Sequence, residues 1–166
     1  MKILVSDTSV LIDLERGGFL DSCFKLPFEF AVPDLLYARE LAEFGGPALV
    51  ARGLLVQELT GDEVTAAQTV RVDHPKLSLP DAFAYTLASL RGWTLLTGDG
   101  ELRALAEIEG VKFSGVLWIL DQLFDGQITE AAIIVSGLEA IAAHPRCRLP
   151  RAEIQSRLER YRQRQR

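Results

Sequence analysis

Short apolar runs alternate along this chain with longer segments of helical period, and this alternation limits its fold more than any other feature. The runs of strand length are residues 2–6, 29–32, 54–59, 93–97 and 111–114. Helical period covers residues 8–16, 34–44, 62–72, 79–91, 100–108, 115–124, 129–142 and 151–162. Parallel neighbouring strands need a helical crossover between them. The sequence therefore predicts an α/β protein with a parallel sheet covered by helices on both faces.

The charge of the chain is uneven. The length of 166 residues fits one compact domain, and the net charge is −5. Eight arginines and two glutamates lie between residues 144 and 166, so this stretch carries +6 and residues 1–143 carry −11. We therefore expect an acidic domain over residues 1–143 and a basic helical tail over residues 144–166.

The tail has the pattern of an amphipathic helix over residues 151–162. Ile154, Leu158 and Tyr161 recur at i, i+4 and i+7, so they form one apolar stripe that must be buried. Three arginines fall largely off this stripe: Arg151, Arg157 and Arg160. The stripe either packs on its own domain, with solvated arginines, or the helix contacts RNA or a partner protein.

Several classes of protein are excluded by what the sequence lacks. No apolar run approaches the roughly 20 residues of a bilayer span, and the N-terminus has no export signal, so we expect a cytoplasmic protein without a membrane partner. Cys23 and Cys147 lack the spacing of zinc or redox sites. The chain has no phosphate-binding glycine loop and no Gly-x-Ser-x-Gly motif, so a catalytic site would be made of carboxylates.

Two aspartates follow predicted strands. Asp7 ends the first apolar run, and Asp99 follows the fourth, between Gly98 and Gly100. In an open parallel sheet, ligands bind beyond the carboxyl ends of the strands, so both acids are candidates for a site on that edge. Each of them is equally placed to cap the next helix, which leaves a purely structural role open.

Two further acids lie within predicted helices. Asp81 comes three residues after Ser78, a spacing that is typical of a helix-capping turn and gives it a structural alternative. On a helical wheel, Glu40 falls between Leu36 and Phe44, inside an apolar stripe. Burying an ionised carboxylate is costly unless it is paired or binds a cation, so Glu40 is the hardest of these acids to explain by structure alone.

Four stretches together resemble the PIN domain, which is found in many prokaryotic toxin-antitoxin ribonucleases. They are DTSVLIDLE, a helix begun by VP, LPDAFAYTLA and LLTGDGELR, and they cover about residues 2–120 in the order of that family. The resemblance implies three α/β/α layers around a mainly five-stranded parallel sheet. It also implies an acidic pocket for Mg²⁺ or Mn²⁺, with the ligands Asp7, Glu40, Asp81 and Asp99. Ser9 and Thr97 would support that pocket by hydrogen bonding.

By this resemblance the chain is a metal-dependent endoribonuclease, the toxin of a toxin-antitoxin pair or a related PIN protein. The resemblance implies an RNA substrate, allows an antitoxin protein as partner and favours a homodimer. Hard divalent cations prefer oxygen ligands, and a bound ion lowers the pKa of a coordinated water, so four carboxylates suit phosphodiester hydrolysis. Two alternatives are a catalytically inactive PIN-like binding module and a haloacid-dehalogenase-type phosphatase. The phosphatase would need acids where this chain has Ser9 and Arg103.

Overall fold

A five-stranded parallel sheet forms the centre of the computed structural model, which describes residues 2–165. The strands are β1 Lys2–Ser6, β2 Phe28–Pro33, β3 Leu55–Gln57, β4 Thr94–Leu96 and β5 Phe113–Ser114. Their order is β3-β2-β1-β4-β5, and every neighbouring pair is parallel. The predicted α/β fold with a five-stranded parallel sheet is confirmed.

Helices connect all of these strands. They are α1 Thr8–Arg16, α2 Leu20–Cys23, α3 Asp34–Leu36, α4 Gly46–Arg52, α5 Gly61–Asp73, α6 Leu79–Arg91, α7 Gly100–Glu109, α8 Val116–Asp125, α9 Ala131–Ala143 and α10 Arg151–Gln165. A π turn, Tyr37–Leu41, follows α3 directly. The predicted helix over residues 34–44 is therefore wrong in its end and in its geometry. Helices α2 and α4 were not predicted, because four and seven residues are too few to show a helical period.

Both faces of the central strand are buried. Leu4 and Val5 point to opposite faces of β1, and neither has any exposed surface. Helix α6 packs across β1, β2 and β4, while Trp118 of α8 stacks on Phe28 of β2 with ring centroids 5.4 Å apart. Helices therefore cover the sheet on both sides, as near-continuous apolar strands require.

The strand order reverses between β1 and β4. The chain passes from β1 to β2 and β3 on one side, then returns to place β4 against β1 and β5 outside it. Ser6 pairs with Leu96 in register, and the backbone N–H of Asp7 donates to the carbonyl oxygen of Leu96 at 3.0 Å. Open α/β sheets bind ligands at such a reversal, which here lies at the carboxyl ends of β1 and β4.

The C-terminal helix packs on its own chain. Ile154, Leu158 and Tyr161 are buried, and α10 lies against α9. The Arg157 guanidinium pairs with Asp121 of α8 at 3.1 Å. The apolar stripe predicted for the tail is therefore buried within the chain, as the packing alternative required. No helix within residues 2–165 is long and apolar enough to cross a bilayer.

A close contact between α9 and the turn after α1 gives a test of this packing. A Cβ on Gly137 would lie 2.2 Å from Cζ of Phe19 and 2.5 Å from the carbonyl oxygen of Gly17, and Phe19 is fully buried. We expect Gly137→Ala to lower the free energy of unfolding by about 1–3 kcal/mol, because a buried ring and a backbone must both move.

Gly61→Ala is the matched control, since a Cβ there meets nothing within 4 Å. Removing glycine at this position reduces the freedom of the unfolded chain, so stability should stay the same or rise by up to about 1 kcal/mol. Urea unfolding of both variants measures the difference. Equal stabilities would contradict the described contact of α9 with Phe19.

Candidate active site

A cavity of about 310 Å³ opens where the strand order reverses. Its lining, which we call the acid pocket, consists of Asp7, Thr8, Ser9, Ile12, Glu40, Asp81 and Asp99. The four predicted acids come from four different elements: the end of β1, the π turn, the first turn of α6 and the start of α7. The fold therefore brings together carboxylates that are far apart in sequence.

Asp7 is both a helix cap and a member of the acid pocket. It is only 3% exposed, and its Oδ1 accepts hydrogen bonds from the Val10 N–H and the Ser9 hydroxyl, each at 2.9 Å. The Thr97 hydroxyl donates to its other oxygen, Oδ2. Burial raises the pKa of Asp7, the three hydrogen bonds oppose that rise, and the negative charge of Asp99 adds to it.

Thr97 links the two strand-end aspartates. Its hydroxyl oxygen donates to Asp7 and accepts a hydrogen bond from the Asp99 backbone N–H at 3.0 Å. Asp99 caps α7 through Oδ1, which accepts from the N–H groups of Glu101 and Leu102 at 2.8 and 3.1 Å. Its Oδ2 accepts no hydrogen bond from residues 2–165, so this oxygen remains available to a ligand.

Glu40 enters the pocket through the π turn. The Ala42 N–H donates to the carbonyl oxygen of Tyr37 at 2.7 Å, which closes a wider ring than an α-helix makes, and such turns are frequent at functional sites. The Thr8 hydroxyl donates to Oε2 of Glu40. Sequence reasoning missed Thr8, although its position directly after Asp7 was a usable signal. The prediction that Phe44 belongs to the apolar stripe around Glu40 was wrong. Phe44 is 74% exposed, because the helical segment ends at Leu41.

Asp81 is a second carboxyl group of the pocket whose pKa is raised. Burial is the main cause that raises its pKa to about 6, and the negative charges of Asp7, Asp99 and Glu40 raise it further against a hydrogen bond from Ser78. Its backbone N–H donates to the Ser78 hydroxyl at 3.2 Å, so Ser78 caps α6 as the sequence suggested. The capping role of this turn and the place of Asp81 in the pocket therefore coexist.

The donor set of the pocket suits a hard divalent cation. All its charged groups are carboxylates, and no basic side chain lines it among the described residues. Within residues 2–165, no three Asp, Glu, His or Cys side chains lie close enough together to enclose a metal ion. Mg²⁺ usually contacts only one or two carboxylates and keeps several waters, and the cavity has room for them. The residues fit an ion held mainly through water.

The three arginines predicted to contact RNA or a partner lie outside this pocket. Arg157 and Arg160 both pair with Asp121, at 3.1 and 3.2 Å, and Arg160 also pairs with Asp125. Arg151 is exposed at the start of α10. A role of these arginines in RNA or partner binding stays a prediction.

The raised pKa of Asp81 predicts a pH dependence of stability in metal-free buffer with EDTA. Its folded-state pKa of about 6 exceeds the ordinary aspartate value of 3.8, so the native state binds more protons between those limits. The free energy of unfolding should therefore fall as the pH rises from about 4 to above 6. Asp81→Asn should flatten this fall, whereas Glu107→Gln, on exposed surface of α7, should keep it. Urea unfolding across this pH range measures the free energy of unfolding of the parent and of both variants. If Asp81→Asn and the parent lose stability with pH at the same rate, the raised pKa does not belong to Asp81.

Comparison with known proteins supports the family resemblance. A family model described as a PIN domain, DUF3368, matches residues 3–163, which include most of α10. A solved PilT N-terminus domain protein from the archaeon Sulfolobus solfataricus is 16% identical; the similarity covers 73% of this chain and 92% of that one, with a TM-score of 0.49. No curated protein matches the chain. Because the family model spans nearly the whole sequence, the chain belongs to the PIN-domain family, whose members are typically nucleases that use divalent metal ions.

Proposed function

We propose that this protein is a divalent-metal-dependent endoribonuclease that hydrolyses phosphodiester bonds in RNA at the acid pocket. One observation carries the proposal: four carboxylates from four elements line one cavity at the reversal of strand order. Burial is the main cause of the raised pKa of Asp81, and the negative charges of Asp7, Asp99 and Glu40 in the same cavity add to it. Capping accounts for Asp7 and Asp99 but not for Glu40, which lies in the π turn and lines the same cavity.

Asp7 and Asp99 are the residues that we expect to hold a Mg²⁺ or Mn²⁺ ion, with Glu40 and Asp81 completing the negative lining. When bound, such an ion lowers the pKa of a water and neutralises charge that develops on the leaving oxygen. The Thr97 hydroxyl keeps Asp7 and Asp99 oriented by bonding to both of them. The Ser9 hydroxyl restrains Asp7 by donating a hydrogen bond to it, and the Thr8 hydroxyl restrains Glu40 in the same way.

The pocket provides carboxylate bases, and its two hydroxyl groups, those of Thr8 and Ser9, already donate hydrogen bonds to Glu40 and Asp7. Hydrolysis joins a water oxygen to phosphorus and breaks one P–O bond to a ribose, whose oxygen takes up a proton from solvent, while the attacking water releases a proton. The carboxylates are the basic side chains that line the pocket in the described structure, so they or bulk solvent accept that proton. This chemistry needs no serine or cysteine nucleophile.

The biological setting that we propose is a toxin of a toxin-antitoxin pair, acting as a homodimer in the cytoplasm with an antitoxin as its partner. It rests on the family resemblance. Membership of the PIN family removes the haloacid-dehalogenase-type phosphatase as an alternative. An inactive PIN-like module is disfavoured by the retention of all four acids in one cavity.

Asp7→Asn and Asp99→Asn should each lower Mn²⁺-dependent cleavage of an RNA oligonucleotide by about 100-fold or more, because each removes a charge that holds the ion. Asparagine caps helices about as well as aspartate, so the fold should survive both changes. Glu107→Gln is the control that keeps activity. Cleavage by both aspartate variants at the parent rate would refute the nuclease proposal.

Millimolar Mn²⁺ should raise the melting temperature, because a ligand that binds only the native state stabilises it by about 2.7 kcal/mol at 100 times its Kd. EDTA should abolish the increase. The double variant Asp7→Asn, Asp99→Asn should melt at the same temperature with and without the ion. A parent protein whose melting is indifferent to Mn²⁺ would count against an ion in the acid pocket.

A further inference from the structure

A second cavity, of about 210 Å³, lies at the carboxyl ends of β4 and β5. We call it the arginine cavity, and the lining residues that matter here are Gly98, Arg103, Ser114, Gly115, Glu153 and Arg157. Gly98 lines this cavity, and the next residue, Asp99, lines the acid pocket. The two cavities therefore adjoin at one loop.

Arg103 is a partly buried cation without a counter-charge. Its guanidinium lies over the Phe113 ring, 5.2 Å from the ring centroid. Within residues 2–165 no carboxylate lies within ion-pair distance of it. Arginine presents five N–H donors, and the aromatic ring satisfies none of them with an oxygen acceptor. A partly buried arginine in this state favours an anion.

Other groups around the arginine cavity also favour an anion. A Cβ on Gly115 would lie 3.8 Å from both terminal nitrogens of Arg103, so glycine keeps the approach to the guanidinium open. Gly115 is also the N-cap residue of α8, a helix of 10 residues whose first turn has no side-chain cap. The free N–H groups of such a turn add positive potential, and the Ser114 hydroxyl adds a donor.

Helix α10 supplies the opposite wall. Arg157 uses Nε and Nη2 to bind Asp121, at 3.2 and 3.1 Å, and its Nη1 donates to no acceptor within residues 2–165. Glu153 is the one carboxylate among the described residues that line the cavity, and it is exposed to screening by solvent. Cationic and neutral donors therefore outnumber the single acid.

We propose that the arginine cavity binds a backbone phosphate of the RNA strand, next to the phosphate that is cleaved in the acid pocket. The inference rests on the proposed nuclease function and adds to it the subsite that holds the substrate strand. Arg103 follows Asp99 by one helical turn, about 6 Å along the axis, so one strand can reach both cavities. An acidic domain needs such a subsite, because the acid pocket by itself repels polyanions.

Binding of a single-stranded RNA oligonucleotide tests this subsite, measured in the Asp99→Asn background so that cleavage does not interfere. Arg103→Gln should weaken binding about 10-fold and lower the slope of log affinity against log salt by about one unit, since one phosphate contact is lost. Arg103→Lys keeps the charge, so its RNA affinity should lie between that of the protein with Arg103 and that of Arg103→Gln. Glu153→Gln should tighten binding by removing the opposing charge. Arg71→Gln, on α5, is the control and should change neither quantity.

A backbone with one uncharged methylphosphonate linkage locates the contact. The uncharged linkage is moved along the strand one position at a time. At one position near the cleavage site it should weaken binding to the protein that has Arg103 but leave binding to the Arg103→Gln variant unchanged, because both changes remove the same contact. If parent RNA cleavage is intact but Arg103→Gln binds with the same affinity and salt slope as Arg71→Gln, the subsite is wrong and the nuclease function stands. If the parent neither binds nor cleaves RNA with Mn²⁺, both proposals are overturned.

Discussion

The pairing of β1 with β4 is the interaction on which the candidate site depends. It places the ends of two strands side by side, so that Thr97 binds Asp7 across 90 positions of sequence. The same pairing makes the reversal of strand order, which opens the crevice. Without it, Asp7 and Asp99 would be two unrelated helix caps. Each acid keeps its capping bonds in the folded protein, so local structure and the pocket make use of the same carboxylates.

The charges of this protein are arranged at a cost to its stability. Asp7 is almost fully buried and Asp81 is partly buried, and in both cases burial is the main cause of a raised pKa. Elsewhere acids are paired: Glu63 binds Arg91 at 2.9 Å, which helps to lower its pKa to about 2. Carboxylates that lack such partners and share a cavity are the expected signature of a functional site, because structure alone would not favour them.

Helix α10 is held to the rest of the domain by ion pairs and hydrogen bonds to α8. The segment around Asp121 and Gln122, within α8, contains no basic residue. The fold supplies basic residues from the C-terminus, where Arg157 and Arg160 bind Asp121 and the Tyr161 hydroxyl donates to the same carboxylate at 2.5 Å. These contacts engage two of the eight arginines that distinguished the tail in the sequence, and they leave part of Arg157 facing the arginine cavity.

The sequence by itself determined what depends on neighbouring residues: helices α1 and α6 with their ends, the five strands, the caps at Asp99 and Ser78, and the identity of the four acids. Periodicity and capping act within a few residues, so they can be read from the chain. The π turn escaped that reading, because its extra residue changes the helical phase without a local signal. Only the tertiary structure decided the strand order, the hydrogen bond from Thr8 to Glu40 and the adjoining cavities. Those features depend on contacts between distant segments, where the packing of α6 on the sheet and of α10 on α9 sets which residues meet.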